Sequence, residues 1–247
     1  MSDLAADAIP WGYLWICGNF LLFVTAFLAA LYLNFNFNTV IVGTIYLLPL
    51  IPAGLTPENA DRFYIVSFHN LVFGMIELAL FAITVRKTDI TFDREHLRQL
   101  FGHVLPVAAA LIGLSFVSRA TAAPVTMTEW VWIMAVFLTG AALRVWAVCQ
   151  IGTVSFKFDI VIRDEQKLKT DQLYGYMRHP SYAGMMLVIL AYAMTAHDWV
   201  WASLGMISAW FGFQFRIYYE EKALEERFGE DFRKYREKTG MWFPKRW

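Results

Sequence analysis

Charge is missing from this sequence in blocks. Runs of about 17 or more residues pass almost without Asp, Glu, Lys or Arg, and a helix of about 20 apolar residues crosses a bilayer. The blocks fall at residues 11–33, 39–55, 63–85, 100–117, 130–151, 181–196 and 199–215. They predict an all-α, polytopic membrane helix bundle of about seven spans, because only structures that satisfy their own backbone hydrogen bonds survive in lipid. Composition agrees. Of the 247 residues 58% are hydrophobic and only 17% charged, against about 25% in a soluble domain. A net charge of zero argues against a nucleic-acid partner, which needs a basic surface. Two cysteines, Cys17 and Cys149, supply neither a disulfide scaffold nor a cysteine-built metal site.

The second block is short and holds Pro49 and Pro52, so it is expected to be kinked or re-entrant. Asp3 and Asp7 stand where a signal peptide would be basic, so the first block reads as a retained helix. Basic residues set the orientation. Arg86, Lys87, Arg94 and Arg98 crowd residues 86–99, Lys157, Arg163, Lys167, Lys169 and Arg178 crowd residues 152–180, and more follow from Arg216 onward. The alternate loops are poor in Lys and Arg: residues 118–129 hold only Arg119, and residues 197–198 hold none. The C-terminus and these polar segments are therefore expected in the cytoplasm, facing the inner membrane if the cell is bacterial, with the N-terminus outside if the second block crosses and inside if it does not. Trp11, Trp15, Trp130, Trp132, Trp199 and Trp201 sit at block ends, as an aromatic belt does. Two parts follow: residues 1–125, membrane helices without a motif, and residues 126–247, a core in which polar segments flank the hairpin 181–215. A site there can take a water-soluble molecule from below and an apolar one from the bilayer.

Two clusters can carry chemistry. The first runs from Tyr174 to Gly184 and includes Arg178, His179, Pro180, Ser181 and Tyr182. Proline suits the first turn of a helix, and it pushes the residue before it toward an extended backbone. The chain is expected to turn at Pro180 into a membrane helix, with Arg178 at the interface and the free N–H groups of the new helix favouring an anion. The plainer reading is an arginine snorkelling to headgroups beside an ordinary helix start. The second cluster is Arg216, Glu220 and Glu221, directly below the last block. Adjacent carboxylates beside an anionic leaflet repel it and each other. The plainer reading puts them in the first turn of a new cytoplasmic helix, on which Leu224, Phe228, Phe232 and Tyr235 share one face. That helix is the expected C-terminal amphipathic element, interrupted at Gly229. Only His197 and Asp198 separate the last two blocks, so these form a hairpin, and a hairpin returns the chain to its starting depth. Arg178 and the Glu220/Glu221 pair must then share one membrane face as a charged cup beside an apolar groove. Arg216, one turn before Glu220, is expected to pair with it.

With these pieces in hand, residues 144–244 resemble the isoprenylcysteine carboxyl methyltransferase family. The matching features are the run from Arg178 to Gly184, the pair Glu220 and Glu221, and Leu224, Phe228, Gly229, Glu230, Tyr235 and Pro244, in order and spacing. The Arg-His-Pro run by itself is also found in phospholipid N-methyltransferase-like and sterol-reductase-like membrane enzymes. The resemblance implies a methyltransferase that uses S-adenosyl-L-methionine at the cytoplasmic face. Arg178, Glu220 and Glu221 are then catalytic. Gln166, Leu168, Tyr174, His179, Pro180, Tyr182, Gly184 and Glu220 line the cofactor, and Arg178, Tyr182 and Arg216 hold the acceptor. The family usually has His where Gln166 stands, and glutamine donates a hydrogen bond but carries no charge. The implied acceptor is a carboxylate on isoprenylcysteine or another lipid-borne molecule, a prenylated small molecule or protein.

A carboxylate is ionised at neutral pH and needs no base, whereas an ammonium acceptor needs one, for which Glu221 or His179 is placed. Phospholipid amine N-methylation is therefore the alternative. A sterol-type NADPH reductase and a non-enzymatic transporter or scaffold fit less well, because the paired glutamates followed by Phe228 and Gly229 favour methyltransferases and only Glu77 and Arg144 put charge inside the spans. Those two lie at similar depth and are expected to pair. No two of His69, His96, His103, His179 and His197 are three or four apart, so no helical metal pair is expected. His69 and Asn70 read as polar glue between helices.

Overall fold

The computed structural model describes residues 3–84, 94–155 and 167–245. Among them the ordered elements are helical: α1 (Asp3–Leu33), α2 (Phe37–Leu47), α3 (Ala60–Thr84), α4 (Arg94–Gln99), α5 (Leu105–Ala120), α6 (Met127–Ser155), α7 (Pro180–Ala196), α8 (Trp199–Phe228) and α9 (Glu230–Lys238). Four stretches, Trp11–Leu33, Ala60–Ile83, Arg94–Ala120 and Met127–Gly152, are long and apolar enough to cross a bilayer, and Phe37–Leu50 and Pro180–Ala196 are shorter apolar helices. The chain is a multi-pass membrane helix bundle.

The second block folds into a helix shorter than a full span needs. Asn36 caps α2, its side-chain oxygen accepting from the Thr39 N–H at 2.8 Å. After 11 residues the helix tightens into one 3-10 turn, Leu48–Leu50, and stops at the prolines. That length covers about 21 Å of a hydrocarbon layer about 30 Å thick. Its end is held by protein instead of water: the Arg119 guanidinium donates to the carbonyls of Pro49 (2.9 Å), Ile51 (3.0 Å) and Ala53 (2.5 Å). The fourth block is longer than expected. It begins at Arg94 and passes through a π-helical turn, Leu100–Val104, before continuing as α5.

The α7–α8 hairpin forms as the sequence predicts. His197 ends α7 in the left-handed region (φ +50°), and Asp198 caps α8 by accepting from the N–H groups of Val200 (2.9 Å) and Trp201 (3.1 Å). The expectation of a new helix below residue 215 is corrected. α8 runs unbroken for 30 residues, so Glu220 and Glu221 lie inside it and not at a helix start. The break comes at Gly229, whose φ of +51° and ψ of −119° suit glycine, and α9 then turns back with Phe232 and Tyr235 buried. α6 is interrupted by Gly152 at φ +76°. Between α6 and α7 the backbones nearly touch. A Cβ on Gly184 would stand 2.7 Å from the Arg144 nitrogen, and one on Gly140 would stand 2.7 Å from the Gly184 oxygen. Small residues at such a crossing let membrane helices gain packing that lipid cannot offer.

Candidate active site

The reactive-looking turn is held from below by the C-terminal tail. Pro180 opens α7; His179 before it leaves the helical region (φ −124°, ψ 55°) but does not reach the extended conformation expected ahead of a proline. The Arg178 and His179 N–H groups donate to the carbonyls of Gly240 (2.8 Å) and Met241 (3.2 Å), while the Gly240 N–H donates to the Tyr176 carbonyl (3.1 Å). A short parallel pairing thus fixes residues 176–179 to residues 240–241. Tyr235 adds its hydroxyl, donated to the Tyr174 carbonyl at 2.7 Å, and buried Tyr174 donates its own to the Ala147 carbonyl at 3.2 Å.

Side chains close the cup as the hairpin argument requires. Arg178 donates through Nε to Glu221 Oε1 at 2.7 Å and through Nη1 to the carbonyls of Arg236 (3.1 Å) and Thr239 (2.5 Å). Its Nη2 has no hydrogen-bond partner among the described residues. The N–H at His179 Nε2 reaches the same Glu221 oxygen at 3.0 Å. Glu220 accepts the Tyr182 hydroxyl at 2.7 Å, and Arg216 Nε donates to that hydroxyl at 3.2 Å. Arg216 therefore meets Glu220's partner, Tyr182, and its Nη1 reaches Gln99 Oε1 at 3.5 Å. The rings of His179 and Phe213 lie on either side of Tyr182, each 5.5 Å from it. Trp242 packs edge-on near Phe213 (6.2 Å), and its buried indole N–H has no partner among the described residues.

Of the other sequence-predicted residues, Leu168 is half-buried, Pro180 is buried at the helix start, and Gln166 lies outside the described residues. Gly184 is the α6–α7 contact itself. Glu77 and Arg144 do pair, bidentately, at 2.9 and 3.0 Å, both only 4% exposed. Arg144 Nη1 also donates to the Ser181 hydroxyl. Sequence reasoning did not put Gln99 and His103 at the cup. His103 donates Nδ1–H to the Gly212 carbonyl at 3.1 Å, and its ring lies 6.4 Å from Tyr182. The signal was there: two polar residues four apart at one end of an apolar run share a helix face. The π-helical turn that carries His103, a feature common at functional sites, leaves no such mark in sequence.

Glu221 titrates below the usual carboxylate range. Burial pushes it up, but the hydrogen bonds from His179 and Arg178 outweigh burial. A carboxylate depressed in the folded state contributes stability above its unfolded pKa of about 4.3 and loses it as pH falls through the lower folded value. The tail pairing should thus hold at pH 5 and loosen only below about pH 4. Hydrogen exchange at the Arg178 and His179 amides across that range reads it directly. An E221Q variant showing the same acid transition would remove Glu221 as the cause.

An apolar cavity of about 530 Å³ lies elsewhere, lined by Trp11, Trp15, Tyr64, Phe68, Trp130 and Met134. It contains no charged group able to hold or activate a reactant and is not the site. The cup can do different work. It offers one guanidinium nitrogen, two carboxylates, an unpaired indole N–H and stacked aromatic faces at the mouth of an apolar bundle.

Residues 131–226 match the family model described as the isoprenylcysteine carboxyl methyltransferase (ICMT) family. A protein-S-isoprenylcysteine O-methyltransferase of Schizosaccharomyces pombe is 34% identical over 107 residues, which are 42% of this chain and 45% of that protein. Protein-S-isoprenylcysteine O-methyltransferase B of Arabidopsis thaliana is 29% identical over 137 residues, 53% of this chain and 68% of that protein. The chain thus spans less than half of the fission-yeast relative's length. A solved structure of the eukaryotic intramembrane Ras methyltransferase ICMT superimposes with a TM-score of 0.55 at 20% identity, covering 93% of this chain and 86% of that one, a likeness of fold.

Proposed function

We propose that this chain, whose residues 131–226 match the model of the isoprenylcysteine carboxyl methyltransferase family, is an integral membrane methyltransferase that uses S-adenosylmethionine. Its acceptor is a carboxylate borne by isoprenylcysteine or by another lipid, met at the cytoplasmic face. The observation that carries the reading is the meeting of Arg178 and His179 with Glu221, and of Tyr182 with Glu220, at the base of one helix hairpin. The residues present fit the donor. The orphaned Trp242 N–H and the Arg178 guanidinium are donors for its polar groups, Glu220 is an acceptor for hydroxyl or ammonium, and the half-buried rings of Tyr182 and Trp242, packed on buried Phe213, offer faces to its aromatic and cationic parts.

The bound cofactor supplies an electrophilic methyl group on a sulfonium. The protein's part is to align and to exclude water. Arg178 holds an acceptor or donor carboxylate through Nη2, while Glu221 and the two tail carbonyls fix the plane of its guanidinium. Tyr182, fixed between Glu220 and Arg216, shapes the acceptor mouth. Charge is dispersed when a carboxylate attacks a sulfonium, so a site with little water disfavours the separated ions more than the transition state. Neither glutamate needs to touch the sulfonium, since that would stabilise the ground state more than the transition state. Amine N-methylation would need a proton acceptor beside the site, and the His179 ring, oriented by its Nε2–H bond to Glu221, is the group placed for it.

Calorimetry of the protein in lipid nanodiscs tests the reading. S-adenosylmethionine should release heat on binding and NADPH should not. Turnover with an isoprenylcysteine should be flat between about pH 6 and 9, whereas an amine acceptor such as phosphatidylethanolamine should give a rate that climbs with pH. Binding of NADPH in place of the methyl donor would overturn the proposal.

A further inference from the structure

We infer that Arg144 is a positioning residue, through which Glu77 of α3 fixes the start of α7 and so the orientation of Arg178. The inference rests on the methyltransferase reading but concerns a helix outside the segment that matches the family: Glu77 precedes residue 131, while Arg144 and Ser181 follow it.

The guanidinium of Arg144 uses all three of its nitrogens. Nε and Nη2 are taken by the two Glu77 oxygens at 2.9 and 3.0 Å, and Nη1 by the Ser181 hydroxyl. An ion pair buried in an apolar bundle costs desolvation of both charges, and well-packed apolar residues serve stability as well or better. What apolar packing cannot supply is direction. The pair holds the planar fork in one orientation, and its third arm pins a hydroxyl that is the second residue of α7, three positions from Arg178. Gly140 and Gly184 make the reach possible by letting the α6 backbone lie against that first turn. From the other side the same turn is held by the tail, through Gly240 and Met241. Residues 178–181 are thus clamped between two contacts, a buried one from α3 and α6 and a half-buried one from the tail. Because Glu77 neutralises Arg144, the clamp adds no net charge to the cup. A reacting group misplaced by about 1 Å can cost about 100-fold in rate, so this clamp is expected to act on turnover and not on substrate capture.

The test uses the full chain in nanodiscs with three variants. S181A removes the hydroxyl and leaves the ion pair, E77Q removes the charge that orients the fork, and S181T restores the hydroxyl. Expected in S181A are a kcat per folded protein lowered about 10-fold with acceptor KM nearly unchanged, a modestly lower thermal midpoint because Arg144 Nη1 loses its hydroxyl partner, and faster hydrogen exchange at the Arg178 and His179 amides. E77Q should show the same changes, larger, with a lower midpoint, and S181T should recover at least half of the lost kcat. Unchanged exchange at both amides in S181A and E77Q overturns the inference. So does a midpoint that falls while kcat per folded protein holds. Were the wild-type protein inactive on every acceptor, the functional reading would fail, and the exchange rates alone would decide the clamp.

Discussion

The R178A variant is expected to lose methyl transfer by about 100- to 1,000-fold, the scale seen when one preorganised donor is taken from a transition state. Three protein contacts go with the side chain: Glu221 at 2.7 Å and the carbonyls of Arg236 and Thr239. The loss is therefore double. The ligand loses Nη2, and Glu221 keeps only His179 while remaining largely out of water. A lysine in its place keeps the charge but not the fork. One ammonium cannot satisfy Glu221 and two carbonyls while turning a further donor to a ligand, so R178K should recover less than a tenth of the lost rate. Titration heats for the methyl donor and single-turnover rates in nanodiscs separate the two losses. Should R178A turn over within about 3-fold of wild type, less than 1 kcal/mol of barrier, Arg178 has no part in the chemistry.

How much of this was legible depends on range. The charge-free blocks, the proline turn at residue 180 and the two-residue link at His197 and Asp198 are local signals, and from them the hairpin and the placing of Arg178 at the same end as the two glutamates follow by geometry; that Arg178 bonds Glu221 while Glu220 takes Tyr182 does not. The Glu77–Arg144 pair was legible because charge inside an apolar span must be answered by charge at the same depth. Three things were not. α8 continues past the end of its apolar half as one helix, because an apolar half and a charged half share one unbroken helical backbone until Gly229. The tail's pairing with residues 176–179 joins backbones more than 60 residues apart, and backbone hydrogen bonds carry no side-chain signature. The π-helical turn that brings His103 to the cup shifts the helix face by one residue without any marker residue.

Gly184 shows where a resemblance and a packing argument part, and substituting it should give the largest effect on stability. The resemblance places it on the cofactor; the structure places it against α6. An added Cβ would stand 2.7 Å from the Arg144 nitrogen, 2.8 Å from the Gly140 oxygen and 3.1 Å from the Arg144 Cα, all backbone atoms that no rotamer change can move. G184A must therefore push α7 away from α6. Overpacking of this kind costs about 1–3 kcal/mol, and here it also draws Ser181 off Arg144 and shifts the turn that carries Arg178. The thermal midpoint and turnover should fall together, turnover by about 10-fold or more. The partner glycine supplies the control. In G140A the new Cβ would stand 2.7 Å from the Gly184 oxygen and 2.8 Å from the Val188 nitrogen, forcing the same separation from a helix that the resemblance gives no cofactor contact. If packing is the role of Gly184, both variants lose midpoint and turnover in parallel and donor affinity moves equally in the two. If instead only G184A loses donor binding, while G140A matches its midpoint, Gly184 lines the cofactor as well. The close crossing would then be a means of bringing a bare backbone to the ligand, beyond its part in holding two helices together.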